Sequence, residues 1–102
     1  MNPYDSVLKI LQSIPGVEVR QSRFGKEDGK PIAVYVGKRE FAHFHGRKSI
    51  DIRLTSKEIR RNKEVLQGLQ CRKDWVEVPL DGPNNQKLIE KILSLAYQAN
   101  TL

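Results

Sequence analysis

Apolar residues at Tyr4, Val7, Leu8, Leu11 and Ile14 recur at intervals of three and four, which predicts one face of a helix. Asn2-Pro3 fits an N-cap followed by proline in the first helical position, and Pro15-Gly16 ends the run. Beyond it the period falls to two. Val17 and Val19 alternate with Glu18 and Arg20, which predicts a strand running to Phe24. Gly25 to Lys30 is a polar loop. A β-branched run from Ile32 to Val36 predicts a second strand, Glu40 to His45 a third and Ile50 to Leu54 a fourth. The Gly37-Lys38-Arg39 turn and the short link after His45 make antiparallel neighbours of these strands.

The next boundary is set by side-chain chemistry. Thr55-Ser56-Lys57-Glu58 has the form of a capping box, with Leu54 and Ile59 placed as a hydrophobic staple. The helix it starts has a thin apolar side of Ile59, Leu66 and Val65. Lys57, Arg60, Arg61 and Lys63 occupy its other faces, and Gly68 suits the left-handed residue past its end. Trp75 to Leu80 predicts a fifth strand, whose Trp75 packs against the last helix in continuation of Val76, Val78 and Leu80 or, as the alternative, serves as a base-stacking platform. Asp81-Gly82-Pro83 opens that helix, where Leu88, Ile89, Ile92, Leu93, Leu95, Ala96 and Ala99 form a wide apolar stripe. The order α-β-β-β-β-α-β-α predicts an α+β fold, an antiparallel meander of about five strands with helices packed on one face. A length of 102 residues fits a single domain, 1–102.

The apolar share of 38% is low, but these residues fall in periodic sets, which argues for a fold and against disorder. No apolar run approaches the roughly 18 residues of a membrane span. Met1 to Asp5 lacks the basic-then-apolar pattern of a secretory signal. Cys71 is the single cysteine, which excludes an internal disulfide and a multi-cysteine zinc site. A cytoplasmic protein with no membrane partner is the expectation.

Charge changes the picture. The net charge is +6, and residues 38–63 carry all of it, with nine basic side chains against three acids. Such a block attracts nucleic acid or an acidic protein surface, or serves solubility alone. Arg47 and Lys48 fall at a turn, Arg53 on a strand, and Lys57, Arg60 and Lys63 on one helical ridge beside Arg61. If turn and ridge share a side, they form one basic surface. That makes a non-enzymatic binding module the first functional expectation.

The second expectation rests on His43 and His45, the only histidines. Two apart in a strand, they share one face with Phe41. A three-residue loop, Gly46-Arg47-Lys48, pairs His45 with Ser49 and His43 with Asp51. A four-residue loop pairs His45 with Ile50. Elsewhere the chain offers no nucleophile beside a base: Ser49 lies in the turn region, and Cys71 is a lone thiol after a helix. The Gly25–Lys30 loop lacks the spacing of a phosphate cradle.

Phe41-Ala42-His43-Phe44-His45 running into Ile50-Asp51-Ile52-Arg53-Leu54, the Trp75-Val76-Glu77-Val78 strand and a final helix closing on Leu95-Ala96-Tyr97 resemble the small, mostly bacterial domains known as luciferase-like. The resemblance spans roughly residues 16–99. It implies no luciferase activity, and the function of such domains is unknown. The Trp strand and last helix also resemble MmcQ/YjbR-like domains, which implies DNA binding. The luciferase-like pattern commonly has Pro-Asp-Gly where this chain has Gly46-Arg47-Lys48, and often a third histidine where Asp51 stands. Pro-Asp-Gly fits a type I turn followed by a left-handed glycine, so the resemblance implies the three-residue loop.

With that loop, Phe41, His43, His45, Asp51 and Arg53 share one face, joined by Tyr35. Ile32, Val34, Val36, Phe44, Ile50, Ile52 and Leu54 take the other. The histidine face then admits several readings. Two imidazoles and a carboxylate are a usual ligand set for a divalent transition metal. A His43–Asp51 pair can orient a general base. Aromatic and basic groups can stack and pair with a nucleic acid or anionic ligand. The plainest reading is a polar sheet face with a cross-strand pair. The expectation is no catalytic residue, no cofactor and no bound metal, since three ligands on an exposed face lack partners to hold the imidazoles.

Overall fold

A computed structural model describes residues 3–20, 33–45, 48–82 and 85–101. The Asn2 cap, the strand beyond Arg20 to Phe24, the Gly25–Lys30 loop, Ile32, Gly46, Arg47 and Pro83 lie outside the described residues. The periodic sets become α1 (Pro3–Ser13), β1 (Val17–Arg20), β2 (Ala33–Val36), β3 (Arg39–His45), β4 (Ser49–Arg53), α2 (Ser56–Arg61), β5 (Gln70–Arg72), β6 (Trp75–Pro79) and α3 (Asn85–Thr101). All strand pairings are antiparallel, in the order β1-β2-β3-β4-β6-β5.

Helices α1 and α3 pack together on one face of the sheet. The core lies between: Tyr4, Val7 and Leu11 from α1, Ile89, Ile92, Leu93 and Ala96 from α3, and Val34, Ala42, Phe44, Ile50, Ile52, Val76 and Val78 from the strands. Tyr4 meets Phe44 with ring centroids 4.6 Å apart. The Tyr97 hydroxyl donates to the Pro15 carbonyl at 2.9 Å, tying the end of α3 to the turn after α1. Among the described residues every buried side chain is apolar. The α+β class and the element order agree with the periodicity, and the meander gains one strand.

That strand, β5, joins β6 through a tight turn at Lys73-Asp74, with Arg72 opposite Trp75. Lys73 has φ +49°, the left-handed conformation such a turn favours. All three residues of β5 are exposed, so they show no apolar alternation.

The helix after the capping box is shorter than the sequence predicts. Thr55 accepts from the Glu58 backbone N–H at 3.1 Å, as a cap should. The helix ends at Arg61, because Asn62 turns on Glu58: its backbone N–H and its Nδ2 both donate to the Glu58 carbonyl, at 3.1 and 2.8 Å. A side-chain amide competing for a helical carbonyl favours termination there. No residue of α2 is buried. Gly68, with φ +85°, closes the turns that follow instead of the helix itself.

Val34 pairs with Ala42, but the next β2 residue, Tyr35, pairs with Glu40. Phe41 is therefore the extra residue of a β-bulge, where one residue is left unpaired and the alternation of faces resets. Phe41 turns inward and is fully buried. It does not share the histidine face. Glu40 takes that place.

Candidate functional site

Among the described residues, both long helices lie on one side and leave the other face of the sheet open. Strand alternation sends Val76 and Val78 to the core and hence Trp75 and Glu77 to the open face. Trp75 therefore does not pack against the last helix. Its ring lies 4.9 Å from His43, centroid to centroid, and the Arg53 guanidinium sits 5.6 Å from its centroid. Toward β1, Arg20 lies over Tyr35 at 4.8 Å.

The three-residue loop holds: His45 pairs with Ser49 and His43 with Asp51. His43 and His45 then flank Asp51, their ring centroids 5.1 Å apart. Both Nε2 atoms converge on one oxygen, Asp51 Oδ2, at 3.0 Å from His43 and 2.5 Å from His45. The Asp51 side chain is 16% exposed, His43 31% and His45 53%. The ligand atoms of the three residues all lie within 4.8 Å of one another.

The bulge supplies the fourth member. Glu40 Oε1 lies 3.1 Å from His43 Nδ1, and Glu40 Oε2 accepts from the Tyr35 hydroxyl at 3.4 Å. His43 is thus gripped at both ring nitrogens. On the far side, Ser49 donates to Glu77 Oε2 at 3.4 Å, and Glu77 stands opposite Asp51 on β6.

Counting protons exposes a shortfall. Three ring-nitrogen-to-carboxylate contacts join His43 and His45 to Glu40 and Asp51. A neutral imidazole carries one N–H, so two neutral rings supply only two hydrogens. In the neutral state one nitrogen lone pair must face a carboxylate oxygen. An added proton or a metal cation removes that repulsion. A divalent ion with bonds of about 2.0–2.2 Å places neighbouring ligand atoms roughly 3.0–3.5 Å apart, so small side-chain adjustments suffice here.

Beside this cluster lies a groove of about 270 Å³ lined by His45, Asp51, Gln70, Arg72, Trp75 and Glu77. Sequence reasoning missed Glu40, Arg72 and Glu77 and turned Trp75 inward. The alternation Trp75, Glu77 against Val76, Val78 carried the signal for two of them. Cys71 adds no chemistry. It is exposed at the sheet edge, and burial of its sulfur pushes the thiol up from its ordinary value, so thiolate is scarce.

The described part of the basic block is spread along β4. Lys48 is exposed at one end of β4, where Leu80 N–H donates to its carbonyl at 2.8 Å. Lys57, Arg60 and Arg61 are exposed on α2, which follows the other end, where Leu54 N–H donates to the Asp74 carbonyl at 2.7 Å. At ~3.3 Å per residue β4 separates these ends by roughly 16 Å. Arg53 points to the open face, and Arg61 pairs with Glu58 at 3.6 Å. Among the described residues, the open face of the sheet carries Arg20, Arg53 and Arg72 against Glu18, Glu40, Asp51 and Glu77, a slight negative excess.

No helix among the described residues is long and apolar enough to cross a membrane. The chain matches no protein-family model, no curated protein and no solved structure.

Proposed function

We propose that this domain is a metal-dependent binding module whose working surface is the open face of the sheet, with His43, His45 and Asp51 holding a divalent transition ion. The carrying observation is the convergence of two imidazole Nε2 atoms on one Asp51 oxygen, an arrangement that two neutral rings cannot satisfy by donation at all three contacts. Two nitrogens and one carboxylate oxygen suit zinc and its neighbours, and three protein ligands leave a position open.

Glu40 supports the reading. A ligating histidine ordinarily donates its other N–H to a carboxylate, which fixes the tautomer and aims the lone pair. Glu40 stands at His43 Nδ1 and leaves Nε2 for a metal. The expectation of no bound metal rested on the lack of such a partner, and the bulge provides one.

The alternative, a basic surface for nucleic acid or an acidic protein, has weaker support. It needs the turn and α2 to form one surface, and Lys48 and α2 stand at opposite ends of β4. Among the described residues, the histidine face itself has four carboxylates and three arginines, an unpromising surface for a polyanion.

Calorimetric titration with zinc tests the proposal. The wild type should bind one ion per chain. His45→Ala should lose more affinity than the roughly 10–100-fold that follows loss of an outer partner. Absence of heat in the wild type, or equal isotherms for both proteins, rejects the metal site.

A further inference from the structure

Resting on that metal reading, we infer that the groove beside the ion is a binding site for a small single-ring oxyanion, an aromatic carboxylate or phosphomonoester, and that the site operates only when the metal is bound. Its acid group would complete the coordination at the position the protein leaves open and pair with Arg72. Its ring would lie against Trp75.

Placement comes first. Arg72 and Trp75 are direct cross-strand partners on β5 and β6, and Gln70, Glu77 and Asp51 form the adjoining row across β5, β6 and β4. A cation and an aromatic surface therefore border the same groove as Asp51 and His45. Arg72 is exposed, and among the described residues it makes no ion pair.

Size comes second. The groove, at about 270 Å³, falls just below the roughly 300–1,000 Å³ of drug-sized ligand sites. It fits one ring and one acid group, and a longer chain would leave it.

Charge decides the metal dependence. With neutral imidazoles, Arg72 faces Asp51 and Glu77, so the groove lining has a net charge of −1. An anion is repelled. A divalent ion on Asp51, His43 and His45 changes that lining to +1 and offers a direct ligand position to an oxyanion. The protein thus gates anion entry by metal occupancy, with no movement of the fold required.

Trp75 is the only tryptophan of the chain, so its fluorescence reports on this groove directly. The experiment titrates wild-type protein with benzoate and with phenyl phosphate, each with and without one equivalent of zinc. Acetate and methyl phosphate serve as ringless controls. A saturable Trp75 signal is expected with zinc only, and the ringless probes should bind at least about tenfold more weakly, because stacking is lost. The stronger of the two aromatic probes identifies the acid group. Arg72→Gln should weaken the aromatic probes by about tenfold or more while its zinc isotherm stays that of the wild type. Equal binding without zinc, equal binding by Arg72→Gln, or no saturable signal in zinc-loaded protein overturns the inference. In the last case a normal zinc isotherm shows that the metal site survives and only the groove ligand is wrong. A flat zinc isotherm overturns both.

Discussion

The histidine face and helix α2 are both rich in charge, yet they are built in opposite ways. On the face, the two histidines and their neighbours are held by one another: His43 between Glu40 and Asp51, His45 on Asp51, Glu77 beneath Ser49. The positions come from paired strands, so backbone hydrogen bonds fix them before any side chain meets. On α2 the cations stand on six residues, none buried, capped at one end by Thr55 and stopped at the other by Asn62. Lys57, Arg60 and Arg61 are exposed on long side chains, Arg61 in a 3.6 Å pair with Glu58, and solvent screens them. Fixed groups converging on a point can discriminate one ion or ligand. Mobile groups spread over a short helix contribute general attraction. The same chain therefore separates a site from a surface.

The contrast breaks most severely through Phe41. Its ring is fully buried at the bulge, and Phe41→Ala should destabilise the domain by about 3–5 kcal/mol in denaturant unfolding. Because the bulge also turns Glu40 outward, the variant should lose zinc affinity even under conditions where it remains folded. A Phe41→Ala protein that is folded and binds zinc as the wild type does would separate the bulge from the site.

Glu40→Gln acts on the site alone. It keeps the shape but replaces the charged acceptor at His43 Nδ1. Zinc affinity should fall roughly 10–100-fold, about 1.4–2.7 kcal/mol, with little change in the unfolding midpoint of the metal-free protein. Affinity should also fall as pH is lowered, since protons compete with the ion for the imidazole nitrogens. Unchanged zinc binding by Glu40→Gln would leave His43 aligned by its strand and Trp75 only.

On the α2 side the effects shrink. Thr55→Ala removes the cap and should cost about 1 kcal/mol of stability while leaving zinc binding intact. Replacing Lys57, Arg60 and Arg61 together by Ser should change stability by less than about 0.5 kcal/mol, as exposed substitutions usually do. Fluorescence anisotropy with single- and double-stranded oligonucleotides at two salt concentrations then sharpens the contrast. Weak, steeply salt-dependent binding that the triple variant removes would assign α2 a general polyanion role. Tight binding that survives high salt would show that the surface recognises its partner specifically, and the division into site and surface would fail.

How legible this was in the sequence differs between the same two regions. The α2 start was readable because a cap is local chemistry: Thr55 and Glu58 are three residues apart and need nothing else. The hairpin was readable once the loop length was set, because period-two geometry then fixes His43 opposite Asp51. Trp75 was readable too, since Val76 and Val78 must face the core. Packing Trp75 inward joined it to the apolar set of Val76, Val78 and Leu80, although alternation puts it on the opposite face. The bulge was hidden because it is a long-range compromise. Burying Phe41 beside Ala42 breaks the strand period, and only the neighbouring strand shows where. Glu40 became a site residue through that event alone. Strand β5 was hidden for another reason: three exposed residues at an edge gain their conformation from pairing with β6, without any apolar signature.

Metal binding by the paired histidines is tested most directly by following the imidazole nitrogens of His43 and His45 with nitrogen-15 NMR during a zinc titration. The Nε2 signals of both rings should move together to metal-bound positions at one equivalent, while His43 Nδ1 stays protonated against Glu40. Zinc that leaves both Nε2 signals in place, or that displaces the Nδ1 proton of His43 instead, would contradict the proposed site.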